Sequence, residues 1–164
     1  MEPKIPQNSG NVSRSCAATK VPLHLVAPAF ELDDKKLKRA GLDYWDWVCL
    51  KPHASMEEFL EFYAALEGPK RLIAFSKFGK VHHAADGLYR SKTDDGRTVR
   101  NFLMFGAEDT GLPESAHEAA TDIVRIPMNN FEHVRSINLA TSVGVGIWEA
   151  LRQLDGPVFD EEEV

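Results

Sequence analysis

Asn101-Phe-Leu-Met-Phe-Gly-Ala-Glu-Asp-Thr-Gly-Leu-Pro113 is the stretch that decides how this chain folds. A short apolar run, Phe102–Phe105, stops at Gly106, and Glu108 and Asp109 follow at once. The pattern repeats downstream, where apolar Ile123–Ile126 stops at Pro127, just before Met128. Each run reads as a buried strand ended by a turn residue. Both therefore deliver a polar loop at a strand's carboxyl end, where open α/β sheets place their ligands. Beyond the second run, Leu139, Val143, Ile147, Ala150 and Leu151 recur at three- and four-residue spacing. This predicts a helix from Asn138 to Leu154, with either Ser136 or Asn138 as its cap. Gly144 and Gly146 should cost that helix about 1 kcal/mol each against alanine. With Ala140 they form a bare strip that reads either as the face of a tightly packed core helix or as one on which another backbone could lie closely.

The preceding residues show the same alternation. Val21–Pro28, Trp47–Leu50 and Arg71–Ser76 read as strands. Ser55 caps an amphipathic helix over Met56–Glu67, Glu58 completes a capping box, and Phe59, Phe62, Tyr63 and Leu66 make its core stripe. Asp33 or Asp34 can cap a short helix that carries Lys35, Lys36, Lys38 and Arg39 and ends at Gly41. Near the start, Ile5 to Ala17 read as a polar, glycine-containing loop turning into a helix. Its Asn8, Ser9, Gly10 and Asn11 offer cap chemistry and backbone N–H groups suited to a phosphate. Arg14 falls a turn into that helix, where the macrodipole disfavours a cation. Strands alternating with helices predict an α/β fold with a mostly parallel sheet.

At 164 residues the chain has the length of a single domain, and 43% hydrophobic residues suffice for a real core. No apolar run approaches the ~20 residues of a membrane span. The amino end shows neither a secretory nor a transit pattern. Net charge is −6, but Asp160–Glu163 supply four of the negatives and leave a body near −2. The expected organisation is one domain over residues 1–157 and a solvated acidic tail over 158–164. Such a balance suits RNA only if the cations gather on one face. Cys16 and Cys49 stand far apart in no metal or disulfide pattern, as in a reducing, cytoplasmic compartment. Adjacent His82 and His83 point to opposite sides of a strand and have no third ligand at a useful spacing, so no metal site is expected.

Taken together, Phe105-Gly-x-Glu-x-x-Gly-Leu-Pro, Ile126-Pro-Met and Ser136-x-Asn-Leu-Ala-x-Ser-Val resemble the second and third motifs of the SPOUT (SpoU-type) RNA 2′-O-ribose methyltransferases. Pro6, Asn8, Gly10, Asn11 and Arg14 resemble the first. Asp33 to Tyr44 is similar to a stretch of the subfamily acting on the tRNA wobble cytidine or uridine. The resemblance covers Ile5 to Leu154 and implies a carboxyl-terminal trefoil knot, an exception to unknotted topology. It also implies a homodimer through the last helix. Two departures stand out. The family's apolar strand before the first motif is missing, since only Met1-Glu-Pro-Lys precedes Ile5, and Met128 to Arg135 is a residue or two longer than the pattern.

The resemblance implies methyl transfer from S-adenosylmethionine to a ribose 2′-oxygen of tRNA. In that reading Arg14 orients the hydroxyl and stabilises developing negative charge, because a guanidinium is too basic to act as a general base. Ser136 and Asn138 hold ribose or loop geometry, and Glu108 orients Arg14 or the knot loops. Phe75, Gly106, Ile126, Met128 and Ser136 line the cofactor pocket. Asn8, with Lys35, Lys36, Lys38 and Arg39, contacts RNA. Two alternatives are a ribosomal RNA substrate and a non-catalytic RNA-binding scaffold. A different nucleotide-binding domain is disfavoured, because neither G-x-G-x-x-G nor a P-loop occurs.

Overall fold

The computed structural model describes residues 1–31, 47–130 and 132–154. The basic segment with Lys35, Lys36, Lys38 and Arg39, the Asp33–Tyr44 stretch and the acidic tail lie outside the described residues. In chain order the elements are α1 (Pro6–Thr19), β1 (Leu23–Val26), β2 (Leu50–His53), α2 (Met56–Ala65), β3 (Lys70–Phe75), β4 (Val81–His82), β5 (Arg100–Phe105), α3 (Glu114–Ala119), β6 (Asp122–Arg125) and α4 (Leu139–Gln153). Every strand pairing is parallel, as the alternation of strands and helices predicts.

Strand β3 is the centre, paired with β5 on one side and β6 on the other, and β4 extends the β6 edge. Leu72, Ile73 and Ala74 are buried to within 1%. A parallel strand covered on both faces should be apolar throughout, and this one is. Leu72 and Ala74 face Met56, Phe59 and Ala116 of α2 and α3, while Ile73 and Phe75 face Val124 and Ala150 on the opposite side. Helix α1 packs against α4 through Val12, Cys16, Val143 and Ile147. No helix of the described residues is long and apolar enough to cross a membrane.

Local signals mark most boundaries. Ser55 accepts from the Glu58 N–H at 3.2 Å, and the Glu58 carboxylate reaches back to the Ala54 N–H, one residue before the box's usual donor. The cap of α4 is Asn138, whose Oδ1 accepts from Ala140 N–H at 2.8 Å and Thr141 N–H at 3.4 Å. Two expectations are corrected and one open choice is decided. The Asn8–Asn11 loop is already helical: α1 starts at Pro6, whose fixed φ and missing N–H suit the first helical position, and Ile5 caps it without a side chain. The strand at Trp47–Leu50 is Leu50–His53 instead, because the ladder with β1 sets Leu23 opposite Leu50 and leaves Trp47 78% exposed. Finally, Gly146 serves this chain's own packing. A Cβ there would sit 2.9 Å from the rings of both Phe75 and Phe105, whereas one on Gly144 would meet open space.

The sheet is divided. The strands form two sheets, β1–β2 and β4–β6–β3–β5, and no strand of the described residues joins them. The first residues of the chain carry backbone hydrogen bonds from one to the other. The Met1 ammonium donates to Phe105 O at 2.8 Å, Glu2 N–H to Val26 O at 2.7 Å, and Ala29 N–H to Pro3 O at 3.0 Å. Glu2 and Ala27, on either side of this crossing, hold left-handed φ values of 43° and 46°. Behind them runs an apolar channel of about 370 Å³ lined by Val12, Leu23, Leu25, Phe102, Leu103 and Val143.

Candidate functional site

The carboxyl ends of β3, β5 and β6 and the start of α4 enclose a second cavity, of about 590 Å³. Its size falls in the range of small-molecule sites. Phe75, Gly106, Ile126, Met128 and Ser136, the expected cofactor residues, all line it. So do Asn8, Glu108 and Asn138. Gly106 is required by a close crossing: its Cβ would lie 2.0 Å from Gly111 C and 2.2 Å from Leu112 N. Side chains are excluded there, and the loop presents backbone to the cavity. Phe75 stacks on Phe105 with ring centroids 4.4 Å apart and supplies an apolar wall.

A hydrogen-bonded chain ties three distant segments together around this wall. The Glu108 carboxylate accepts from Lys4 N–H at 2.9 Å, Ile5 N–H at 3.3 Å and Asn8 Nδ2 at 2.9 Å. Asn8 Oδ1 in turn accepts from Asn138 Nδ2 at 3.0 Å, and Asn138 caps α4. Partial burial pulls the Glu108 pKa up, but the bonds from Asn8 and the backbone outweigh it and leave the carboxyl below its usual range. The anion just ahead of α1 is thus this chain's own carboxylate, where the sequence suggested a phosphate. Asp109, beside it, pairs with Lys4 at 2.8 Å. Both acidic residues of the loop are committed within the chain.

Arg14 is exposed on α1 and is not among the residues that line the cavity. Several lining residues had no role in the sequence reading. Lys77, Phe78 and Arg135 stand on the cavity, and Phe78 is 72% exposed. An aromatic in a polar turn straight after a buried strand was the available signal. No group of acidic, histidine or cysteine side chains able to hold a metal occurs among the described residues, and His82 and His83 stack on one another instead.

The comparisons with known proteins agree with this geometry. The chain is 46% identical over 155 residues to a putative tRNA (cytidine(34)-2′-O)-methyltransferase of Synechocystis, covering 94% of both chains. It is 42% identical over 159 residues to the tRNA (cytidine(34)-2′-O)-methyltransferase of Escherichia coli, covering 95% of this chain and 92% of the relative. Among solved structures, one described as giving structural insights into the 2-OH methylation of C/U34 on tRNA matches with a TM-score of 0.78 and 44% identity, over 94% of this chain and 88% of the other. The SpoU methyltransferase AviRb of Streptomyces viridochromogenes, in complex with AdoMet, shares the fold with a TM-score of 0.78 at 22% identity, over 95% of this chain and 57% of that one. The model of the SpoU rRNA methylase family matches residues 1–148, which include α1, the Gly106 crossing and the Asn138 cap, and the chain belongs to that family.

Proposed function

We propose that this protein uses S-adenosylmethionine to methylate the ribose 2′-oxygen of nucleotide 34 in tRNA, the substrate that its relatives' names give. The observation that carries this reading is the cavity at the strand ends, where all the expected cofactor residues converge around a glycine crossing. When bound, the cofactor supplies an electrophilic methyl group and leaves the protein the work of positioning. Phe75, Gly106, Ile126, Met128 and Ser136 would hold it, partly through backbone that Gly106 lets come close. Asn8 and Asn138, locked by Glu108, keep α1 and α4 in fixed relation at the cavity mouth. Arg14 orients the 2′-hydroxyl and stabilises the charge developing on its oxygen.

The trefoil knot and the homodimer belong to the same proposal. The first rests on the family resemblance. The open flank of Gly144, with Trp148 52% exposed on the same helix, supports the second. Lys35, Lys36, Lys38 and Arg39 are assigned to RNA phosphates on their charge density alone.

The direct test is incubation with labelled S-adenosylmethionine and total tRNA, and in parallel with ribosomal RNA, followed by mapping of the label, which should fall on nucleotide 34 of tRNA. Label in ribosomal RNA instead would move the protein to the other substrate. No label, with no cofactor binding by calorimetry, would leave a scaffold. Arg14→Ala should keep cofactor affinity and lose roughly 10²–10³-fold in single-turnover rate. Arg14→Lys should rescue little, since a point charge lacks the planar fork.

A further inference from the structure

Between β3 and β4 the chain makes a turn, Ser76-Lys-Phe-Gly79, that is clamped at both ends. Ser76 N–H donates to Val124 O at 2.9 Å, Gly79 N–H to Ser76 O at 3.0 Å, and Phe78 N–H to Ser76 Oγ at 3.3 Å. Gly79 lies so flat on β6 that a Cβ would come within 2.3 Å of Val124 C. This turn does not leave room for the Phe78 ring to fold inward. The ring stands 72% exposed on the cavity rim, with Lys77 Nζ 5.0 Å from its centroid.

An anchored aromatic left in water at the mouth of a polar cavity needs a flat partner, and the charges around it say which. Glu108 is consumed by amide groups and Asp109 by Lys4. Lys77 and Arg135, on the same cavity, pair with no carboxylate among the described residues. The mouth therefore offers a polyanion two cations and an aromatic face. Single-stranded nucleic acids are held by that combination, with bases stacked on aromatic rings and phosphates on lysine and arginine.

We propose that Phe78 is the platform on which an unpaired nucleobase of the substrate tRNA stacks, with Lys77 and Arg135 holding the neighbouring phosphates. This rests on the tRNA reading above and adds a substrate-positioning residue to it.

The test uses the full chain and an anticodon stem-loop RNA, intact or with one loop base removed at a time. Affinities are measured without cofactor, and S-adenosylmethionine affinity is measured separately by calorimetry. Phe78→Ala should weaken binding of the intact RNA about 5- to 100-fold, the range for loss of one base–aromatic stack. Phe78→Trp should stay within about threefold of wild type, since tryptophan also offers an aromatic face. Against the RNA that lacks the stacked base, wild type and Phe78→Ala should bind nearly alike.

Equal affinities of wild type and Phe78→Ala for intact RNA overturn the proposal. So does an equal loss on every abasic RNA, or a loss confined to S-adenosylmethionine. A change in the molecular mass of Phe78→Ala by light scattering overturns it too, because the ring would then serve contact between copies. Wild-type protein that binds the stem-loop through Phe78 but takes up no S-adenosylmethionine would sink the methyltransferase reading and uphold the platform.

Discussion

The two cavities of this protein are alike in kind and opposite in construction. The one at the strand ends, about 590 Å³, has its acidic groups matched: Glu108 with three donors, Asp109 with Lys4. The channel between β1 and β5, about 370 Å³, is apolar and bordered by two strand edges with no partner strand among the described residues. It also strands polar groups. The Met1 amine is pushed down to about 6 by burial against the Phe105 carbonyl. Ser9 Oγ is buried without a hydrogen-bond partner, and Ser9 is on the channel wall. The lesson concerns what makes an opening a site. In the cavity at the strand ends the carboxylates are matched before anything binds, although His117 Nε2 on its wall is buried without a hydrogen-bond partner. A gap in packing leaves donors, acceptors and charge uncompensated.

The sharpest way to break the comparison is to fill the ordered cavity from its own backbone. Gly106→Ala places a Cβ where Gly111 and Leu112 already sit. It should destabilise the fold by about 3 kcal/mol, as forced overpacking does. It should also weaken S-adenosylmethionine binding beyond detection by calorimetry, while Gly144→Ala, facing open space inside a helix, leaves binding unchanged and raises stability by about 1 kcal/mol. A Gly106→Ala protein of normal stability and affinity would show that the crossing does not shape the site.

Filling the channel should do the reverse. A variant with five apolar, β-branched residues fused ahead of Met1 can run parallel between β1 and β5 and replace the buried ammonium with an amide. Ladder hydrogen bonds at about 1 kcal/mol each suggest a gain of about 3 kcal/mol. The melting temperature should then rise by roughly 6–12 °C. Hydrogen exchange of the Leu23–Val26 and Phe102–Phe105 amides should slow as well. A glycine–serine extension of the same length is the control, and equal behaviour of the two would mean that the channel is not a strand slot.

Glu108→Ala sharpens the contrast by stranding polar groups on the ordered side. It leaves Lys4 N–H, Ile5 N–H and the Asn8 amide without their acceptor, at a cost of about 2–3 kcal/mol in urea unfolding. Glu108→Gln keeps one acceptor oxygen and should lose about half as much. If Ala and Gln unfold alike, the carboxylate's bonds are not what holds the α1 start.

The smallest expected effect is a pH limb belonging to the channel. The Met1 amine is at about 6 in the folded chain against 8.0 for a free terminus, so between these values the unfolded chain binds more protons. Stability should therefore be full above about pH 8 and fall as pH drops through 6, by on the order of 2 kcal/mol at 1.36 kcal/mol per unit. Acetylation of the amino end should flatten this limb. A second loss at lower pH follows from His24, held down to about 4 mainly by burial and then by His53, whose Nε2 lies 2.9 Å from its Nδ1. His24→Gln should shrink that second limb, to which His53 and His83, also lowered chiefly by burial, contribute, and leave the first. A flat stability profile from pH 5 to 8 would contradict both assignments.

The sequence by itself determined the alternation of elements, the parallel sheet and the residues that meet at the strand ends. All of these are written in local periodicity and turn chemistry: Phe102–Phe105 before Gly106, Ile123–Ile126 before Pro127, Ser55 before its helix. Motif order added the family, because three blocks in sequence specify more than any spacing does. What remained depended on contacts between residues far apart in the chain. Glu108 finds Asn8 across 100 residues, and Asn8 finds Asn138 across 130, so no window of sequence could pair them. That pairing is what placed the Asn8 segment in a helix whose leading anion is internal. Register, set by β1, moved β2 past the aromatic stretch that local propensity favoured. Gly144 and Gly146 look alike as letters, and only the packed Phe75 and Phe105 rings tell the inward glycine from the outward one. The channel shows the same thing from the other side. Its walls, Leu23 and Leu25 of β1 and Phe102 and Leu103 of β5, lie far apart in sequence and form a channel only where the two sheet edges face each other.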